Sequence, residues 1–307
     1  MNTAYIQVRK IFRTNGPLML MALPGVVFLL LFKYLPMGGI IIAFKDYNFS
    51  DGIFGSAWVG FKNFEFLFTS QDAWRITYNT IFLNLLFITF GTAISLILAL
   101  AMNELRNKLF HSAVQSAFFL PYLLSWVLVG YFVFALLTTK GLINKTLEAF
   151  GMEGVNWYAE PQYWPAILVL LSIWKGAGYT SIIYLASILG INTEYYEAAK
   201  IDGASRLQQV WYITLPLIRP VIIMMTLISL GHIFHSDFGM FYNVTRNAGS
   251  LYPTTDVIDT YVFRMFRTLG DVGISSAAGF YQATVGFLLV LLSNYVVKKI
   301  DKDNAMF

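Results

Sequence analysis

The chain has 307 residues, of which 57% are hydrophobic, 17% aromatic and only 12% charged, and its mean hydropathy is +0.61. Soluble globular domains carry about 25% charged residues; here the apolar residues fall in runs of twenty or more, which excludes a water-soluble fold in favour of a bilayer-embedded one. The net charge of +4 comes from short Lys and Arg clusters that form no basic face for nucleic acid, and the absence of Cys removes disulfides, thiol nucleophiles and Cys-ligated metals.

Crossing the hydrocarbon core takes roughly 20 helical residues. The first such run is Leu18 to Phe44, preceded by Arg9, Lys10 and Arg13. A secretory signal also has a charged start and an apolar centre, but this run resumes after Lys33 and Pro36 and shows no convincing small-x-small cleavage site. An uncleaved span is expected, with Lys33 carried inward or snorkelling to an interface. Further spans are predicted at Ile76 to Met102, Ala113 to Leu137, Pro165 to Leu189, Pro220 to Gly239 and Ser275 to Val297. The expected fold class is all-α, a polytopic membrane protein of six transmembrane helices forming one domain over 1–307. No loop is long enough for a folded receptor domain.

Lys and Arg beside the spans set the orientation. With both termini inside, the inner segments hold Arg9, Lys10, Arg13, Arg106, Lys108, Lys200, Arg206, Arg219, Lys298, Lys299 and Lys302, while the outer loops are rich in acids such as Asp46, Glu153, Asp256 and Asp259. Both termini are therefore predicted to be cytoplasmic. Small residues recur at fourfold spacing in two spans, Gly91, Ser95 and Ala99, then Ser275, Gly279 and Ala283, and read as helix-packing stripes.

Between the fourth and fifth spans, residues 191–216 are polar and helix-prone. Asn192 or Thr193 can cap a helix, Glu194 lies where its dipole favours an anion, and Gly203 allows a sharp bend before a second helix leading to Leu215 and Pro216. The segment reads Glu197-Ala198-Ala199, three residues, Gly203, nine residues, then Ile213-Thr214-Leu215-Pro216. That spaced pattern resembles the permease subunits of binding-protein-dependent ABC importers. The strings Phe32 to Ile40, Ala43 to Tyr47, Trp58 to Phe64, Asp237 to Tyr242 and Thr255 to Tyr261 resemble the polysaccharide and oligosaccharide subfamily.

The resemblance implies a type I importer transmembrane fold. The loop is then the coupling helix that docks on a cytoplasmic ATPase dimer, through Glu197, Ala198, Ala199, Asp202, Gly203, Ile213, Leu215 and Pro216. It implies as partners a second, related permease, an extracytoplasmic binding protein and a carbohydrate substrate, in a bacterial plasma (inner) membrane. ATP and Mg would bind the ATPase, with no cofactor or metal on this chain. No Gly-x-x-x-x-Gly-Lys-Ser/Thr loop occurs here, in keeping with that division of labour.

Ionisable groups inside spans need partners or a water-filled cavity. Lys175, His232, His235 and Asp237 qualify, with the two histidines expected on one helical face. Trp174, Tyr179, Tyr281 and Gln282 add aromatic platforms and an amide suited to sugars, so these eight residues form the candidate substrate path. Pairing of Lys175 and the histidines with backbone or a neighbouring subunit is an equal alternative. A stand-alone secondary transporter or channel is the rival function, disfavoured by the lack of a carboxylate deep in a span. A membrane enzyme is disfavoured by the absence of His-Glu-x-x-His and Gly-x-Ser-x-Gly.

Overall fold

A computed structural model describes residues 2–300; Lys302 of the predicted inner cluster lies outside the described residues. Helix α1 (Asn2–Leu29) passes through a wide turn at Leu30–Tyr34 and tight turns at Gly38–Phe44. The wide turn immediately precedes Leu35-Pro36, where the proline ring would strike the carbonyl four residues back; widening the ladder relieves the clash. The same dipeptide at Leu215-Pro216 is preceded by a second wide turn, Val210–Thr214.

Helix α2 (Gln71–Asn103) starts at Ser70, whose hydroxyl accepts from the Ala73 N–H at 3.1 Å. Its 33 residues span about 50 Å, more than the hydrocarbon thickness, so it projects from the bilayer. Among the described residues six helical stretches are long and apolar enough to cross a membrane.

Two predicted spans are corrected. The third, expected as one helix over 113–137, is two: α3 (Lys108–Leu123) and α4 (Trp126–Leu137), broken where Leu124 and Ser125 are extended. Pro121 weakens the ladder before the break, and the Ser125 hydroxyl caps the new helix by accepting from the Leu128 N–H at 3.3 Å. The apolar stretch continues from Trp126 to Ala149. The fifth span was expected at 220–239. Instead α7 (Leu215–Gly231) closes at His232, and with the preceding turns its apolar stretch is Arg206–Gly231. His232 and His235 therefore lie beyond the helix and share no helical face.

Helix α5 (Trp164–Leu189) makes its most extensive contact with α2. It also approaches α3 so closely that a Cβ on Gly178 would lie 1.9 Å from the Phe118 carbonyl oxygen. Helix α6 (Thr193–Ile201) follows α5; α8 (Phe238–Asn243) and α9 (Ile258–Arg264) follow α7, and α10 (Val272–Ile300) completes the bundle. One buried cluster, including Ala99, Tyr184, Ile188 and Ile218, lies toward the α6 end. Another, including Leu83, Val129, Trp164, Phe241 and Leu251, lies toward the α8 end. Of the small-residue stripes, Ser95 and Ala99 on α2 are buried. On α10 Ser275 and Gly279 are half-buried and Ala283 is exposed, while the small residues Gly273, Ala277, Ala278 and Gly286 are buried.

Candidate functional site

At one end of the bundle the polar loop forms a hinged pair of helices. Asn192 caps α6 by accepting from the Glu194 N–H at 3.0 Å, and Glu194 occupies the first turn. The helix ends in a Schellman arrangement: Gly203 N–H donates to the Lys200 carbonyl at 3.1 Å and Ala204 N–H to the Ala199 carbonyl at 2.8 Å. Gly203 has φ +81°, the left-handed backbone that this cap requires. Ser205 and Gln208 then form a reciprocal capping box that opens the turn Arg206–Gln209.

This hinge is tied to the bundle at defined points. The Tyr196 hydroxyl meets Thr214 Oγ1 at 2.9 Å, Gln209 Nε2 donates to the Ala204 carbonyl at 3.0 Å, and Arg206 pairs with Glu104 just beyond α2. Between α6 and the ends of α2, α5 and α7 lies a cleft of about 400 Å³ lined by Glu104, Tyr196, Glu197, Lys200 and Arg206 among others. Ala198, Asp202 and Gly203 are exposed, Ala199, Ile213 and Leu215 half-buried, and Pro216 exposed at the head of α7. The large apolar side chains Ile201, Leu207, Trp211 and Tyr212 are exposed beside them. Open apolar surface of that extent on a polar loop marks it for the interaction argued below.

Between α2, α5 and α7 lies an open cleft of about 230 Å³ whose polar wall is Thr92, Ser95, Ser172, Thr180, Tyr184 and Ser229. Ser95 is 1% exposed and its hydroxyl has no partner among the described residues, leaving one unsatisfied group at the cleft wall. Gly91 and Gly176 keep opposite walls open, since nothing lies within 4 Å of a Cβ built on either. Sequence reasoning placed Gly91 and Ser95 in a packing stripe and passed over Ser172 and Thr180. Their visible signal is the fourfold spacing of small and hydroxyl residues at 172, 176 and 180, which puts them on one face.

The residues predicted to line a path divide into two groups. Lys175 donates from Nζ to the Tyr122 carbonyl at 2.8 Å, a helix-terminal acceptor at the α3–α4 break, and lies 5.2 Å over the Trp126 ring. Trp126 Nε1 donates to Asp237, whose other carboxylate oxygen caps α8 by accepting from the Met240 N–H at 3.2 Å. Tyr179 stacks on Tyr122 at 4.5 Å, and Trp174 is exposed alongside. The structure thus brings Lys175, Tyr179 and Asp237 together at the break, with Tyr122 and Trp126, which sequence reasoning did not single out.

The second group surrounds Asp259, an acid of the predicted outer loop. Its Oδ2 accepts from the Ser236 N–H at 2.8 Å and from Gln282 Nε2 at 3.2 Å, and Oδ1 lies 4.0 Å from His235 Nδ1. Gln282 also donates to the Phe234 carbonyl at 2.8 Å, and Tyr281 packs edge-on against Phe234. His232 turns back to its own helix, with Nδ1 3.0 Å from the Ile228 carbonyl.

The Asp259 carboxylate 4.0 Å away raises the His235 pKa, against burial that lowers it. The raised folded value makes this contribution complete below the unfolded imidazole pKa of about 6.5 and lost as pH rises through the folded pKa. Because His235 is 47% exposed, the contribution should be under about 1 kcal/mol. Thermal melting of wild type and His235→Gln across pH 5–8 should show the wild-type advantage shrinking toward the alkaline end. A constant difference would refute the coupling.

A model of the family described as binding-protein-dependent transport system inner membrane component matches residues 91–302. The chain is 40% identical over 287 residues to the polygalacturonan/rhamnogalacturonan transport system permease protein YteP of Bacillus subtilis (strain 168), covering 93% of this chain and 89% of that protein. It is 36% identical to Protein LplB of the same organism, covering 93% and 90%. Among solved structures it matches a bacterial ABC transporter involved in the import of the acidic polysaccharide alginate. The TM-score is 0.86 at 35% identity, over 96% of this chain and 99% of that one. A crystal structure of a bacterial alginate ABC transporter in complex with an alginate pentasaccharide-bound periplasmic protein matches with the same TM-score, at 35% identity, over 95% and 98%.

Proposed function

The chain belongs to the binding-protein-dependent transport system inner membrane component family, and from that premise we propose that it forms the translocation path of an ATP-driven importer for a carbohydrate oligomer or polymer. Its fold is that of a type I importer permease. The carbohydrate reading is supported by relatives named for polygalacturonan, rhamnogalacturonan and alginate. In this reading ATP and Mg bind a separate cytoplasmic ATPase dimer, a second related permease completes the membrane part, and an extracytoplasmic protein delivers the sugar. The chain sits in a bacterial plasma membrane with both termini cytoplasmic.

The observation that carries the mechanism is the α6 hinge. A short helix ended by Gly203, capped anew at Ser205 and continuous through Arg206–Thr214 into α7 transfers displacement at its exposed face to a membrane-crossing helix. The Tyr196–Thr214 and Arg206–Glu104 contacts tie that displacement to α7 and to the end of α2. Closure of the ATPase dimer would then shift α2 and α7 against α5, the three walls of the hydroxyl-lined cleft. Hydroxyls, small residues and the unsatisfied Ser95 suit transient hydrogen bonds to sugar hydroxyls without tight retention.

Purification of the tagged chain from native membranes in mild detergent should recover an ATPase and a second permease, identified by mass spectrometry. Recovery of this chain alone, folded and stable, would favour a stand-alone transporter.

A further inference from the structure

Beyond α8 the chain adopts left-handed backbone at two consecutive non-glycine residues, Arg246 (φ +56°) and Asn247 (φ +49°). Asn visits that conformation readily, whereas Arg does so only where neighbours hold it, and such positions concentrate at functional sites. Here the Asn247 N–H donates to Thr245 Oγ1 at 3.3 Å, and the Tyr252 hydroxyl contacts the Asn247 carbonyl and Oδ1 at 3.2 Å each. Arg264 Nη1 reaches the same Oδ1 at 3.4 Å.

The turn carries the exposed Arg246 side chain toward α4. Its guanidinium lies 4.1 Å over the Phe134 ring and 6.0 Å from the Tyr131 ring, both on α4. It borders a cleft of about 210 Å³ whose other walls are Val127, Gly130, Tyr131, Tyr242 and Asn243. Gly130 is needed there, because a Cβ would lie 2.7 Å from the Asn243 carbonyl oxygen. Asn243 donates from Nδ2 to the Gly239 carbonyl at 2.7 Å, which leaves its Oδ1 available as an acceptor.

Arg75, Arg206 and Arg264 each pair with a carboxylate, whereas Arg246 has no ion pair among the described residues. A guanidinium stacked on an aromatic ring, beside phenols and a carboxamide but without an anion, complements a carboxylate flanked by hydroxyls. The cleft also continues the Lys175–Trp126–Asp237 cluster, since Trp126, Gly130 and Phe134 recur every four residues along one face of α4.

We infer that this cleft is a subsite for the carboxylate of an acidic sugar residue, with Arg246 as the specificity-determining contact. Tyr131 and Tyr242 supply platforms for the sugar ring, and Asn243 accepts from a ring hydroxyl. The inference rests on the carbohydrate reading above and adds to it the charge of the substrate. A carboxylate at this end of the bundle has two sources, the sugar and a side chain of the docked binding protein; the small, hydroxyl-bonding cleft assigns it to the sugar.

The test is isothermal titration of the assembled complex, without binding protein, with trigalacturonate and with its carboxyl-reduced, neutral counterpart. Wild type should bind the acid about tenfold more tightly, the step expected for a charge-assisted hydrogen-bonded contact. Arg246→Gln should bind both trimers alike, Arg246→Lys should retain part of the preference, and all three proteins should melt at the same temperature. Equal binding of the two trimers by wild type, or an undiminished preference in Arg246→Gln, overturns the subsite. If Arg246→Gln instead leaves sugar preference intact and weakens docking of sugar-free binding protein, the carboxylate belongs to that protein and the inference is overturned. Binding of neither trimer would overturn the subsite, whereas failure of the transporter, assembled with its binding protein, to take up any carbohydrate would overturn the carbohydrate reading.

Discussion

Gly203→Val is expected to abolish uptake by the assembled transporter while leaving the chain folded and in the membrane. The glycine has φ +81° and closes α6 through two backbone hydrogen bonds, yet no atom lies within 4 Å of a Cβ built upon it. Volume is therefore not the constraint. The cost is backbone strain, about 1–2 kcal/mol for a residue with a Cβ in left-handed conformation and more when it is β-branched. Strain of that size is too small to unfold a bundle held by buried clusters on α2, α5 and α7, but sufficient to melt or re-aim a nine-residue helix with an exposed outer face.

Gly203→Asn should retain most activity, because Asn visits the left-handed region readily. On the same physics Gly203→Asp is a milder test than Gly203→Val. Ala198→Trp probes the face rather than the hinge. The side chain is exposed, so the chain should fold normally, yet a bulky ring there would hold a docked partner away. Uptake of radiolabelled sugar into proteoliposomes, beside ATPase turnover and thermal melting, separates these cases. Wild-type uptake by both Gly203→Val and Ala198→Trp would remove the coupling assignment.

The largest effect on stability is expected at Asp256. Its side chain is fully buried, both oxygens accept from Arg264 Nη2 at 2.7 Å, and Oδ2 also meets Arg75 Nη2 at 3.2 Å. Thr260 Oγ1 adds a contact to Oδ1 at 3.3 Å, and Asn79 Nδ2 donates to the Asp256 backbone carbonyl at 3.1 Å. The carboxylate thus joins the start of α2 to α9 across a sequence separation of 181 residues. Asp256→Ala would leave two guanidinium groups without their shared counter-charge, at a cost of about 3–5 kcal/mol.

Replacing all three groups together, as Asp256→Leu with Arg75→Met and Arg264→Met, should recover much of that loss, because apolar packing can substitute for a buried ion cluster. Thermal melting monitored by size-exclusion fluorescence distinguishes the two. An unchanged midpoint for Asp256→Ala would show that the cluster carries no stability.

Most spans were legible because a bilayer imposes a minimum apolar length, and that constraint writes itself into the chain as uninterrupted runs. The hinge was legible for a different reason. Capping residues, a left-handed glycine and a Leu-Pro pair act within a few residues of one another, so Asn192, Gly203, Leu215 and Pro216 specify their geometry locally. The two misplaced spans show the limit of run length. Around Leu124–Ser125 the chain stays largely apolar where the helix breaks, and at His232 the polar residues mark the end of the helix rather than the lining of a longer one.

By itself, then, the sequence determined the membrane setting, the presence of all six spans, and the helix, bend and second helix of the polar loop, since each follows from short-range backbone chemistry or from the thickness of the solvent. Only the tertiary structure decided which polar residues meet. Asp259 draws together His235, Ser236 and Gln282; Lys175 finds the carbonyl left by a broken helix; and Gly91 and Ser95, at a spacing indistinguishable from a packing stripe, line an open cleft. A small residue spaced for helix packing closes a contact or opens a cavity according to what the neighbouring helix places opposite it, and that partner lies far away in the chain.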